Sequence, residues 1–152
     1  MLPTIQKIDS AVIGRLQKIE ARMARTAIFV VYFWFGVLKL VGVSPAGPMV
    51  QALFQRTIPF VPFPAFYALF SLFEMAIGIL FLIRGWERLA ILLLGVHLAT
   101  TTLPLILLPE ITWQGLLVPT LEGQYIIKNI LIIAIAVVVG AKLTPIRSAK
   151  NQ

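Results

Sequence analysis

The order of apolar and polar positions along this chain changes rhythm near Thr26. Before that point Ile5, Ile8, Val12, Leu16, Ile19 and Met23 recur at helical spacing, with the charged residues largely on the other side. Such a period marks an amphipathic helix, and a basic one of this kind suits a membrane surface. After that point the rhythm gives way to continuous apolar runs, at about 26–43, 64–83, 89–108 and 124–142. Each is close to the ~20 residues needed to cross ~30 Å of hydrocarbon. The pattern predicts an all-α fold: an integral membrane antiparallel four-helix bundle, with an N-terminal amphipathic surface helix over residues 1–25 and a short tail over 144–152. The first apolar run is longer than a usual signal core and follows a long basic segment, so it reads as a retained anchor.

Two loops are themselves apolar and rich in proline. In "SPAGPMVQALFQRTIPFVPFP" the side chains Met49, Val50, Leu53 and Phe54 fall on one side of a short helix, which the following prolines stop. "PEITWQGLLVPTLEG" carries Trp113, a residue type that anchors at membrane boundaries. Both loops are expected to lie along the outer boundary as a lid.

Composition reinforces the membrane reading. Charged residues make up 12% of the chain, against about 25% in ordinary globular proteins. Mean hydropathy is +0.94. A net charge of +7 raises the question of nucleic acid, but the basic residues sit between the apolar runs and form no stripe with interleaved aromatics. Their distribution orients the bundle instead. Lys7, Arg15, Lys18, Arg22, Arg25, Arg84, Arg88, Lys142, Arg147 and Lys150 fall on one side and Arg56 alone on the other. Positive residues favour the cytoplasmic side, so both termini are expected there. No cysteine is present, which removes disulfides, thiolate metal sites and a dithiol relay within the chain.

Each span carries one ionisable group, and such groups inside a bilayer mark a functional site by default. They are Lys39, Glu74, His97 and Lys128. At 1.5 Å per residue, Glu74 and His97 come near the midplane, while Lys39 and Lys128 lie in the outer half. Tyr32 and Gly36 share the helical face of Lys39, and Tyr67 that of Glu74. Thr101 shares the face of His97, and Gln124 and Asn129 accompany Lys128. These ten residues outline an expected pocket, in which Lys39 can pair with Glu74 and His97 with the Thr100–Thr102 cluster. Aromatic walls with a few convergent polar groups suit a flat ligand such as a quinone headgroup. Pairing alone is an alternative, in which Lys39 and Glu74 fix helix register and tolerate a charge swap. No metal centre, bis-histidine haem, phosphate loop or nucleophile triad is spelled out, so no catalytic residue is assigned.

At "FVVYFWFGVLKLVGVSPAGP" the chain resembles the first span of the DoxX-like membrane proteins, with Gly36-Val37-Leu38-Lys39 matching their Gly-x-x-Lys element. "SLFEMAIGILFLIRGWERLA" is similar to their second span, Glu74 and Gly78 matching a Glu-x-x-x-Gly pattern before a basic turn, and "PTLEGQYIIKN" to the start of the last span in a bacterial subset. The resemblance covers roughly residues 25–143. It implies a four-helix bacterial or archaeal plasma-membrane protein. Some relatives are subunits of quinone-reducing sulfur oxidation systems, and others are linked to oxidative-stress or thiol defence. The absence of cysteine departs from the thiol-linked roles. Three readings follow: a redox-associated protein that binds a quinone or similar lipophilic molecule and works with a redox partner protein or as a homo-oligomer; an assembly or anchoring subunit; and a small transporter or proton-permeation protein.

Overall fold

The computed structural model describes residues 2–145; Arg147, Lys150 and most of the expected tail lie outside the described residues. Helix α1 (Leu2–Leu40) is followed by α2 (Gly47–Thr57), α3 (Phe63–Leu82), α4 (Glu87–Thr102), α5 (Pro104–Leu107) and α6 (Pro109–Thr112). A small hairpin of β1 (Trp113–Gly115) and β2 (Val118–Pro119) leads to α7 (Leu121–Ile127) and α8 (Asn129–Ala141). Four helical stretches are long and apolar enough to cross a membrane: Thr4–Leu40, Phe63–Leu82, Glu87–Leu107 and Leu121–Ala141. They point to a multi-pass membrane protein with a lipid environment.

The four stretches form an antiparallel bundle in which α1 packs mainly on α3, α3 on α4, and α8 on both α1 and α4. The α1–α3 contact is close because each helix brings a glycine to it. A Cβ on Gly36 would lie 2.6 Å from Met75 Cγ and 2.9 Å from the Ser71 carbonyl oxygen. One on Gly78 would lie 3.1 Å from the Phe33 nitrogen. Small residues at such crossings let helix backbones approach without a hydrophobic drive between them. Behind the contact sits a compact core of Ile28, Ile77, Phe81, Leu94 and Val139. The outward faces are apolar as well, with Trp34, Leu69, Leu92, Ile130 and Leu131 all exposed. Acyl chains accommodate such a surface and water does not.

Three expectations change. No boundary falls near residue 25: the amphipathic segment and the first span are one 39-residue helix. Proline is absent between Thr4 and Leu40 and only Gly14 and Gly36 interrupt good helix formers, so nothing stops propagation. The third span is broken at Leu103, because Pro104 offers no N–H to continue the ladder. The fourth is broken at Lys128, between α7 and α8.

The lid is more built than its sequence indicated. Helix α2 forms where expected, and Phe54 is buried against Phe63 and Phe66, with ring centroids 5.4 and 4.7 Å away. In the other loop the Trp113 indole donates to the Leu105 carbonyl at 2.9 Å, and Thr120 caps α7 by accepting from the Gly123 N–H at 3.1 Å. Arg56 and Glu110 join the two loops at 3.3 Å.

Candidate functional site

Three helices deliver four polar side chains to one buried spot. Lys39 and Tyr32 lie seven residues apart on α1, two turns along one face. Glu74 comes from α3 and His97 from α4. The Lys39 ammonium donates to Glu74 Oε2 at 2.6 Å. The other carboxylate oxygen, Oε1, lies 2.9 Å from His97 Nε2, and His97 Nδ1 lies 3.1 Å from the Tyr32 hydroxyl. None of the four residues exceeds 7% exposure.

The donor and acceptor inventory fixes how such a row is wired. With a neutral ring, Nε2–H donates to Glu74 and Nδ1 accepts from Tyr32, both carboxylate oxygens and both ring nitrogens have partners and the array carries no net charge. With a doubly protonated ring, both nitrogens donate and the array carries one positive charge. In either form Glu74 holds a cation on one side and an N–H donor on the other, which is what a buried carboxylate requires. Aromatic rings close the array off. Phe70 stacks on His97 with centroids 5.2 Å apart, Phe73 lies 6.2 Å away, and Lys39 Nζ sits 5.8 Å from the Phe70 centroid.

Of the ten expected pocket residues, the structure brings Lys39, Glu74, His97 and Tyr32 into the array, with Gly36 at the helix contact beside them. Tyr67 lies two turns before Glu74, stacked on Phe63 at 5.1 Å. Its buried hydroxyl is near Ser44 but meets no hydrogen-bonding geometry among the described residues. Gln124 and Lys128 are exposed, and Lys128 Nζ sits 5.2 Å from the Tyr125 ring. Asn129 is half-buried beside the helix break and forms no part of the array. The inward face of α7 is Gly123 and Ile126, away from Gln124 and Lys128, and beyond the break α8 turns Ala136 and Val139 inward. Small and apolar side chains pack there, and a lysine near the helix end can snorkel outward. Nor does the His97 ring bond the threonine cluster: Thr100, Thr101 and Thr102 donate to the carbonyls of His97, Leu98 and Ala99 on their own helix.

A cavity of about 340 Å³ adjoins the array from outside. Its walls include Leu53 and Phe54 of the lid, Phe70 and Phe73 of α3, and Val96 and Thr101 of α4. Thr101 is thus the one expected pocket residue that lines it. Lys39, Glu74 and His97 do not, because Phe70 and Phe73 stand between. The lining is apolar except for threonine hydroxyls, and those of Thr57, Thr100 and Thr101 already donate to their own helices. Cavities of a few hundred Å³ with such walls hold lipophilic molecules.

A second, partly buried ion pair escaped sequence reasoning. Arg25 on α1 donates from Nε to the Phe81 carbonyl at 2.5 Å and from Nη1 to Glu87 Oε1 at 2.8 Å. Glu87 also accepts from the Gly85 N–H at 2.7 Å. Arg25 and Arg88 entered the sequence reading only as flanking charges, and Glu87 not at all. Its signal was a carboxylate in the first turn of the third span, facing the end of the second across a tight turn.

No family model, curated protein or solved structure matches the chain.

Proposed function

We propose that this chain is a membrane protein of DoxX-like type that binds a lipophilic molecule in the cavity beneath its lid, in a redox-associated role. The observation that carries the reading is the shared wall: Phe70 and Phe73 line the cavity on one side and cover His97 on the other. A flat ring in the cavity can stack on these phenyl groups, and an isoprenoid or acyl tail suits the rest of the lining. Quinones meet this description, with a partner protein supplying electrons. In support of the resemblance, Gly36, Lys39, Glu74 and Gly78, the residues that carry it, gather at one helix contact. The bacterial or archaeal plasma membrane, and termini on its cytoplasmic side, belong to the same proposal.

The geometry alters the role first given to the polar residues. Lys39 and Glu74 do not reach the ligand; they hold α1 and α3 in the register that shapes the wall. The hydroxyls of Thr57, Thr100 and Thr101 have their protons engaged, so they can accept from a ligand O–H, such as that of a hydroquinone, but offer no donor to a carbonyl oxygen.

The test is solvent extraction of gently purified protein with mass spectrometry of what it releases. Wild type is compared with Val96→Trp, which adds bulk at the mouth of the cavity on α4. A lipophile near one per chain, lost in Val96→Trp while the protein stays folded, is the expected result. A folded wild type that releases nothing beyond bulk lipid rejects the reading. In that event the buried, mutually paired array favours an assembly or anchoring subunit, with proteins that co-purify as the next observation.

A further inference from the structure

The N-terminal part of α1 runs past the bundle. Among the described residues, its last side-chain ties to the rest of the chain are Arg25 on Glu87 and Glu20 on Lys142. Residues 2–19 extend beyond them by about 27 Å at helical rise. Along this arm and the turn that follows it, Ile5, Ile8, Val12, Leu16, Ile19 and Met23 are all exposed, between 42% and 61%.

The phase of that stripe relative to the bundle is informative. At about 100° per residue, Arg25, Ile28, Tyr32, Gly36 and Lys39 cluster on the side of α1 that packs inward. The stripe lies roughly 160° round the helix from them. It is in phase with Val30, Trp34 and Val41, which are exposed on the outward side of the span. The spacing repeats after 11 residues, from Ile5 to Leu16, Ile8 to Ile19 and Val12 to Met23, so the stripe drifts by only about 20° round the helix in each repeat. A helix that leaves a bilayer and inclines away from its own bundle presents to the membrane the side that faced lipid within it. Folding beneath the bundle would need the opposite side.

Charge is arranged to match. Arg15 and Arg22 border the stripe on one edge, with Lys18 and Lys7 beyond, all exposed. The other edge carries Asp9 and Glu20, and Glu20 is already engaged by Lys142. Two parallel copies joined along the stripe would set the basic edge of one against the Asp9 and Glu20 edge of the other, and with Glu20 engaged by Lys142 only Asp9 is left to oppose Lys7, Arg15, Lys18 and Arg22.

From phase and charge together we infer that the arm of α1 is a docking surface for an anionic membrane: its apolar stripe enters the leaflet on the side where α1 begins, and its basic edge binds the headgroup phosphates. Each lysine or arginine near such a surface contributes on the order of a fivefold factor in affinity, and salt screens it. This inference is independent of the ligand cavity.

Because the chain has no cysteine, single cysteines can be introduced without clearing a background. Val12→Cys, Leu16→Cys and Ile19→Cys report on the stripe, and Ser10→Cys and Gln17→Cys on the polar side. Each full-length variant carries a nitroxide and is reconstituted into phosphatidylcholine vesicles with and without phosphatidylglycerol. Expected with phosphatidylglycerol is access of oxygen and exclusion of a water-soluble nickel chelate at the three stripe positions, with the reverse at Ser10 and Gln17. Lys18→Gln with Arg22→Gln should lower the docking equilibrium constant by about 25-fold, and high salt should act in the same direction. Stripe positions open to the chelate in both lipids would overturn the inference. So would equal protection in the neutral lipid, or disulfides between copies at Val12→Cys, which would make a second chain the occupant.

Discussion

Among the described residues, one buried and one partly buried ion pair tie α1 to α3 and α4, and they are built differently. Arg25 reaches a backbone carbonyl at the end of α3 and the carboxylate of Glu87, which in turn holds the Gly85 N–H. Every element of this clamp closes the short connection between α3 and α4. Lys39, Glu74, His97 and Tyr32 are linked side chain to side chain, across three helices, with no backbone partner in the row. The clamp is also nearer water, its side chains 17% and 11% exposed against 8% and 7% for Lys39 and Glu74. A charge at the rim can be rehydrated when its partner is lost. Deeper in, it has only the neighbouring side chains to turn to, so depth should set how much each pair matters.

The largest effect should follow from Lys39→Met. Glu74 would keep only His97 as a partner while remaining buried, and breaking a buried pair from one side costs about 3–5 kcal/mol. Adding Glu74→Gln should recover most of that loss, because the amide is neutral and its oxygen can still accept from His97. Unfolding of the purified protein in detergent, followed by heat or by added denaturing detergent, measures both. A double variant as unstable as the single one would mean that the charge pair is not what the array provides. The simple swap of Lys39 and Glu74 has lost its value as a test. It would set an ammonium against His97 Nε2 in place of an acceptor, so it fails on structural grounds alone.

Arg25→Leu should cost less, about 1.5–3 kcal/mol, the range for hydrogen bonds to a charged group. Glu87 keeps the Gly85 N–H, and water can approach it. The change should also be local, with the α3–α4 turn gaining amide exchange while the array is undisturbed. An effect as large as that of Lys39→Met would remove depth as the explanation of the difference.

How far each region was legible follows from the same contrast. Lys39, Glu74 and His97 stood out because a charge in an apolar run has no other reading, and their depths could be counted along three helices. Lys128 met the same criterion and is nevertheless exposed, because counting residues gives depth and not the direction a helix faces. The inward face of that span is set by Gly123 and Ile126, which pass as ordinary membrane composition. The lid helix was visible from its apolar side and its prolines. The two-stranded hairpin was not, since its hydrogen bonds are mostly backbone and its tip places Leu117 at a positive φ of 59° where no glycine announces a turn. The continuity of α1 was missed for another reason: a change of hydrophobic rhythm near Thr26 marks a change of surroundings, while only proline, glycine or a cap marks the end of a helix.

The smallest energetic effect belongs to Tyr32→Phe, and it carries the most information about the array. Removing the hydroxyl takes one partner from His97 Nδ1 and should cost about 1 kcal/mol. His97 is the sole histidine, so its two ring nitrogens give the only imidazole signals in a nitrogen NMR spectrum of the labelled protein. If the ring is neutral in the wild type, one nitrogen appears protonated and the other bare. Tyr32→Phe then shifts the bare one further toward the position of a free acceptor, while Nε2–H stays on Glu74. If the ring is doubly protonated, both nitrogens appear as N–H and the variant leaves Nδ1–H without an acceptor. The first outcome identifies an array with no net charge, held by Lys39 and Glu74 alone and comparable with the Arg25 clamp. The second identifies a buried centre with one excess positive charge, which the clamp does not have and which a ligand stacked on Phe70 would sense.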